Sequence, residues 1–266
     1  FDYFIKDNTG MLVNVTYPGV LGGKAPKTNS GHLNVKGWEF TIGWRDQIKD
    51  FSYYANFNIG DTKSLLKEME GADSYGAGWN AAVNGYPLNS YFLYRTDGYF
   101  KDQAEVDRYY ALYGEGKEDL TGVGAGSASR LRPGDTKRLD LNGDYKISGA
   151  GNENSDLQYL GDSNPHFVFG FTLGGSWKGD VNAMFQGVGK QYVIRNDWMA
   201  YPFQTRTANQ NPTYLGKTWT ESNPNAEFPR LTTNANLARW NYQNNDFMAQ
   251  GKDGYWYLNA GNSDVQ

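Results

Sequence analysis

The segment 165–194 constrains the fold most. Phe167, Phe169, Phe171 and Leu173 occupy every second position, with His166, Val168, Gly170, Thr172 and Gly174 between them. Successive strand side chains point to opposite faces, so one face is greasy and aromatic and the other is small or polar. Trp177, Lys178, Gly179 and Asp180 make a short turn. Val181, Ala183 and Phe185 then resume the apolar face, against Asn182, Met184 and Gln186. Two architectures use such a strand: a soluble sandwich with the greasy face in its core, and a transmembrane barrel with that face toward lipid. Strand length and loop asymmetry decide between them.

A second hairpin has the same pattern. Trp38, Phe40, Ile42 and Trp44 alternate with Glu39, Thr41, Gly43 and Arg45. After a polar turn at 46–50, Tyr53, Ala55, Phe57 and Ile59 form one face, and Tyr54, Asn56 and Asn58 the other. Each arm reaches the ~9–11 residues that a membrane-crossing strand needs. Trp44 and Phe51 flank the turn, where an interfacial aromatic girdle belongs. Strands are expected over 1–6, 32–46, 51–61, 165–177 and 180–194, with a turn at 7–10 and a further short strand over 11–17. The intervals 62–164 and 195–266 are polar and long. Residues 64–69 predict a helical turn capped by Ser64, residues 102–112 a short helix, and residues 121–127 a flexible segment. Insertions of this length are out of place in a compact domain. Short turns at one end and long loops at the other are the pattern of an outer-membrane barrel.

The sequence has 266 residues, 16% of them aromatic, and a net charge of -4. An acidic balance with pI near 5.3 supplies no basic field for nucleic acid. Mean hydropathy is -0.70, and no apolar run approaches the ~18 residues of a membrane helix. A barrel remains open, because alternating strands average out as polar. With no cysteine, disulfides and thiolate metal sites are excluded. The first residues are already in strand pattern, and about five long strands are visible where barrels begin at about 8. The expectation is a segment of a longer polypeptide, the alternative being a mature domain after signal cleavage.

Chemistry is concentrated in the intervals. Asp140, Asn142 and Asp144 place oxygen ligands at positions 1, 3 and 5 of a calcium-loop pattern. Lys146 offers a backbone carbonyl, Ile147 an apolar anchor and Ser148 a direct or water-mediated ligand. The acid expected at position 12 is missing, and Glu153 or Asp156 can replace it after a small insertion. The equal alternative is an Asx-rich turn that needs no metal. Trp79, Tyr86, Tyr91, Tyr94, Trp198 and Trp219 are candidates for stacking on a bound ligand, or else hold the loops together as small cores. The two histidines, His32 and His166, form no ligand-spaced pair. His166 is expected to face the lumen or a loop. No catalytic constellation stands out, and the glycines at 122–126 lack the strand and helix of a phosphate loop.

These stretches, taken in order, resemble the C-terminal part of TonB-dependent outer-membrane transporters of the SusC/RagA type. The resemblance runs through Asp2-Tyr3-Phe4 to Leu12, Asn29-Ser30-Gly31 and Asn34 to Glu39, Gly85-Tyr86-Pro87, and Tyr94 to Phe100 (YRTDGYF). It continues through Pro133-Gly134-Asp135, Asp140 to Ile147, Gly161 to Gly170 and Gln186 to Gly189. It is most specific at Trp219 to Leu231 (WTESNPNAEFPRL). Tyr145 stands where the family pattern has Gly, and the insertion at 149–155 also departs from it. The family's plug, TonB box and last strands have no counterpart in this sequence.

The resemblance implies an all-β fold, an antiparallel segment of a large transmembrane β-barrel with long extracellular loops, in the outer membrane of a Gram-negative bacterium. It implies import of a bulky nutrient, a glycan or oligopeptide, under a SusD-like surface lipoprotein and with energy from TonB through the plug. Calcium is the one expected cofactor, and outer-membrane lipid is an expected partner. The competing readings are a secreted calcium-stabilised carbohydrate-binding β protein and a β-rich hydrolase.

Overall fold

The structure is a computed structural model that describes residues 1–14, 27–70, 75–76, 81–113, 120, 122–151, 155–192 and 214–246. In chain order its elements are β1 (Asp2–Asn14), β2 (Lys27–Ile48), β3 (Phe51–Glu68), β4 (Tyr75–Gly76), β5 (Ser90–Tyr94), β6 (Thr96–Tyr99), α1 (Gln103–Tyr113), β7 (Thr136–Arg138), β8 (Ala150–Gly151), β9 (Leu157–Asp162), β10 (His166–Ser176), β11 (Asp180–Lys190) and α2 (Ala235–Tyr242). No helix among the described residues is long and apolar enough to cross a membrane. The chain folds as two compact units.

The first unit is a five-stranded sheet in the order β1-β2-β3-β10-β11, antiparallel throughout. Cross-strand partners form rows on one face: Trp44, Ala55, Leu173 and Ala183, then Ile42, Phe57, Phe171 and Phe185, then Phe40, Ile59, Phe169 and Gly187. This greasy face is open, with Trp44 63%, Phe185 57% and Ile42 56% exposed. A contiguous apolar surface of this extent needs a partner phase.

The opposite face carries Tyr54, Asn56, Asn58, Thr172, Asn182 and Gln186. Its polar side chains lie over glycines. A Cβ on Gly174 would sit 2.2 Å from the Tyr54 ring, and one on Gly170 2.5 Å from Asn58 Oδ1. Glycine is therefore what lets Tyr54 reach across β10 and donate its hydroxyl proton to Asn182 Oδ1 at 2.7 Å.

Three local expectations are corrected in this unit. Residues 64–69 form no helical turn, because β3 continues to Glu68 and pairs with β2 at Lys63, Ser64, Leu65 and Leu66. A long neighbouring strand overrides a weak local helix preference. β1 continues through the expected turn at 7–10, absorbing it as a register shift between Asn8 and Met11. His166, expected to face the lumen or a loop, is buried between two acids. Its Nδ1 lies 2.7 Å from Asp61 Oδ1, and its Nε2 lies 3.3 Å from Asp162 Oδ1. Phe167 has φ +53°, and this left-handed residue breaks the alternation between Val168 and His166.

The second unit is built on a compact core of Phe100, Val106, Tyr109, Tyr110, Leu131 and Trp240 with their neighbours. Short ladders β4-β8, β5-β9 and β6-β7 supply its strands. α1 starts where Asp102 Oδ1 accepts the Glu105 N–H at 2.8 Å, and Glu105 Oε2 in turn accepts the Lys101 N–H at 2.7 Å. This is the reciprocal capping that an acidic first turn provides. α2 lies in the stretch expected to be irregular. Its cap is Asn234, whose Oδ1 accepts the N–H groups of Asn236 and Leu237. Val123, in the stretch expected to be flexible, is 1% exposed, and its carbonyl accepts the Tyr110 hydroxyl.

Candidate functional site

The acidic loop is held by its own carboxylates. Asp140 Oδ1 accepts the Gly143 N–H at 2.7 Å, and Oδ2 accepts the Tyr145 N–H at 2.9 Å. Asn142 Oδ1 accepts the Asp144 N–H at 3.0 Å, and Asp144 Oδ1 accepts the Lys146 N–H at 2.8 Å. Tyr145 takes φ +62° and Gly143 φ +78°, so Tyr145 adopts the left-handed turn that the family pattern gives to Gly. Ile147 anchors the loop in the core of the unit.

Asp156 closes the loop from behind. Its Oδ1 accepts the Leu141 N–H at 2.7 Å and its Oδ2 the buried Ser148 N–H at 2.6 Å. Burial raises the Asp156 pKa, its backbone donors lower it, and the charge of Asp140 raises it further. Among the described residues no three His, Cys, Asp or Glu side chains converge into a metal-holding group. The donors are nonetheless all oxygen, the type a hard cation takes.

Two sequence-distant motifs meet in a clasp. Gly134, at φ +87°, lies under Trp219, and a Cβ there would sit 2.3 Å from the indole. The Arg230 N–H donates to the Gly134 carbonyl at 2.9 Å. The Arg230 guanidinium donates to both oxygens of Asp135, and Asn241 Nδ2 donates to Oδ1 at 2.7 Å. Burial pushes the Asp135 carboxyl up, and Arg230 pulls it back. Beside the clasp, the buried Arg138 guanidinium lies 3.8 Å from the Tyr94 ring centroid and 4.2 Å from that of Trp240. It donates to Asn245 Oδ1 and to the carbonyls of Trp240 and Gln243. Burial lowers its pKa.

Comparison with known proteins shows where this architecture recurs. The TonB-dependent receptor P26 of Formosa agariphila is 26% identical over 243 residues, covering 86% of this chain and 22% of the receptor. The receptor P3 of the same organism is 25% identical, with the same coverage of each. The RagAB peptide transporter superposes with a TM-score of 0.55 at 20% identity, over 86% of this chain and 23% of that one. The RagAB peptide importer in its open-open state gives 0.57 at 20% identity, over 86% and 22%. The chain is similar in sequence to TonB-dependent receptors and in fold to the RagAB peptide transporter. No family model matches it. It spans about a fifth of the length of the curated receptors it matches.

The motifs that carry the resemblance have a visible structural role. The P-G-D turn and the W…EFPRL segment are the two halves of the clasp, and YRTDGYF supplies Tyr94 to the Arg138 stack. Of the aromatic candidates, Tyr91 packs in a core with Leu93 and Tyr192, so its ring meets protein. Tyr94 is engaged by Arg138, and Trp219 covers Gly134 while staying partly exposed. Tyr86 is 36% exposed in the first unit, where its N–H donates to Val83 and its carbonyl accepts from Leu66. Trp79 and Trp198 lie outside the described residues. The structure thus gathers no single aromatic platform from this set among the described residues.

The sequence reading missed the Arg138 network and the His166 cluster. A lone Arg among polar residues announces no stacking partners. Asp61, Asp162 and His166 are recognisable as a group only once β3 and β10 are known to be neighbours.

Proposed function

We propose that this chain forms part of the barrel wall and the extracellular loops of an outer-membrane active transporter in a Gram-negative bacterium. The observation that carries the reading is the open greasy face of five antiparallel strands, backed by a polar face of amides, hydroxyls and glycines. The relationship to TonB-dependent receptors supports it. The greasy face meets lipid, and the polar face lines the lumen. The cargo is a bulky nutrient, a glycan or an oligopeptide, since amides and hydroxyls serve either by hydrogen bonding. The neighbouring RagAB structures are of a peptide transporter, which favours the oligopeptide. A SusD-like surface lipoprotein caps the barrel, and TonB acts through a plug region. A calcium ion on Asp140, Asn142 and Asp144, with the carbonyl of Lys146 and with Ser148 and Asp156 behind them, ties the acidic loop.

The test uses the absence of cysteine from these 266 residues, with any cysteine elsewhere in the polypeptide replaced by serine. Cysteine is placed singly at Phe171 and at Thr172, adjacent positions on opposite faces, in the full chain within its own membrane. Position 171 should react with a lipid-phase maleimide and resist a water-soluble thiosulfonate, and position 172 the reverse. Equal labelling of both positions by the water-soluble reagent would exclude a lipid-facing sheet and leave a soluble β protein.

A further inference from the structure

Beyond the Trp38 row the greasy face becomes mixed, with charge beside the exposed Ile5 and Leu65. Ile48 and Phe51 are partners next to the β2-β3 turn, and Trp38 and Asp61 are partners at the other end of the same face. The ten residue steps from Ile48 to Trp38 cover about 33 Å of strand. At a tilt of about 40° that is about 25 Å of depth, the height of a barrel's apolar band. Tyr3 pairs with Trp38 on the neighbouring strand, so two aromatic rings mark this rim.

One step beyond the rim, on the same face, Lys36 and Lys63 are direct cross-strand partners. Like charges placed opposite each other on a sheet repel. Both lysines are exposed, and among the described residues neither has an acidic partner at ion-pair distance. Asp61, the nearest acid on the face, is turned to His166 at 2.7 Å. Asp7, one row further on, already holds His32 at 2.8 Å and Lys67 at 3.6 Å. Lys36, Lys63, Trp38 and Tyr3 line a recess of about 280 Å³, whose wall also includes Asp61. The turn end of the same face has Asp46 opposite Tyr53 instead, so its β2-β3 rows carry no facing pair of lysines.

We infer that Lys36 and Lys63 form a binding site for the phosphate of a membrane lipid headgroup, with Trp38 and Tyr3 packing on the headgroup's neck. This rests on the lipid-facing reading proposed above. A phosphate between two ammonium groups converts their repulsion into a shared attraction. The continuity of the recess with the greasy band selects an anion carried on acyl chains over a free one. The site lies on the side of the band away from the short turns, so it belongs to the leaflet facing the long loops.

The experiment uses the full chain, extracted in detergent and placed in phosphatidylcholine nanodiscs with a small fraction of lipid A. Bound lipid is counted by native mass spectrometry after release. Three proteins are compared: the parent, K36Q/K63Q, and K178Q, which alters a lysine at the opposite rim. Each lysine near a charged surface contributes about fivefold, so the double variant should retain lipid A about thirtyfold more weakly. K178Q should match the parent, and dephosphorylated lipid A should bind the parent as weakly as lipid A binds the double variant. Retention that is equal in parent and K36Q/K63Q, or equal for phosphorylated and dephosphorylated lipid, overturns the site. Displacement of lipid A by millimolar inorganic phosphate overturns the choice of a lipid anion. A chain that enters the bilayer without lysine dependence overturns this inference alone; a parent that does not enter at all overturns the lipid-facing reading with it.

Discussion

Arg230 and Asp135 form a fork-on-fork pair, with Nε to Oδ1 at 2.6 Å and the second nitrogen to Oδ2 at 3.2 Å, between residues 95 positions apart. Asp135 is fully buried, so removing the guanidinium leaves a desolvated carboxylate without its counter-charge. Arg230→Met should cost about 3 kcal/mol, the low end for breaking a buried pair, because Arg230 keeps some solvent contact. Thermal unfolding of the full chain, followed by near-ultraviolet circular dichroism, measures this. Adding Asp135→Asn should recover part of the loss, since no charge is then stranded. Overlapping curves for parent and Arg230→Met would show that the clasp contributes nothing.

Gly174 permits the contact between Tyr54 and Asn182. Gly174→Val should cost about 1–3 kcal/mol by overpacking, because its Cβ alone would enter the Tyr54 ring. Tyr54→Phe should cost only about 1 kcal/mol, the net value of one hydrogen bond. The folded fraction after assembly, read by heat-modifiable electrophoresis, ranks the two. The reverse order would mean that the hydroxyl matters more than the close approach.

Phe171→Arg, in the row of Ile42 and Phe57 near the middle of the apolar band, tests the greasy face energetically. A charge on the lipid side near the midplane should cost about 2–4 kcal/mol and impair assembly. Thr172→Arg, on the polar face, should assemble normally. Normal membrane insertion of both would remove the lipid-facing assignment.

Calcium should protect the acidic loop from proteolysis, and a chelator should reverse that protection. In Asp140→Ala/Asp144→Ala the chelator should have no effect, because two of the oxygen donors are gone. A parent whose digestion pattern ignores both calcium and chelator has only an Asx-capped turn at this position.

The pH dependence of Asp156 has a defined sign. Burial raises its folded-state pKa above the ordinary aspartate value of 3.8. Its contribution to stability is therefore full below about pH 3.8 and is lost as pH rises through the folded value. Asp156→Asn should flatten that part of the curve of thermal midpoint against pH. An unchanged slope would show that Asp156 titrates alike in the folded and unfolded chains.

The alternation of Phe169, Phe171 and Leu173, and of Phe40, Ile42 and Trp44, is enough to place strands and to say which side chains share a face, because strand periodicity is a local geometric property. The short helix over 102–112 was equally local, and so legible. What lies on Trp38's face two residues further along was also legible as Lys36. That Lys63 stands opposite it was not, because register is a relation between strands. The fate of residues 64–69 was decided in the same way, by a neighbouring strand that recruited them into β3. α2 escaped notice because eight residues among asparagines show little periodicity; its stability comes from burying Leu237, Trp240 and Tyr242 against distant partners. The motifs at 133–135 and 219–231 could be recognised from sequence, but only the fold shows that they clasp each other. Likewise His166 was expected to face the lumen or a loop, and the pairing of β3 with β10, with Phe167 left-handed beside it, sets it between Asp61 and Asp162. Local pattern determines which way a strand presents its side chains. Pairing across long stretches of chain determines what those side chains meet.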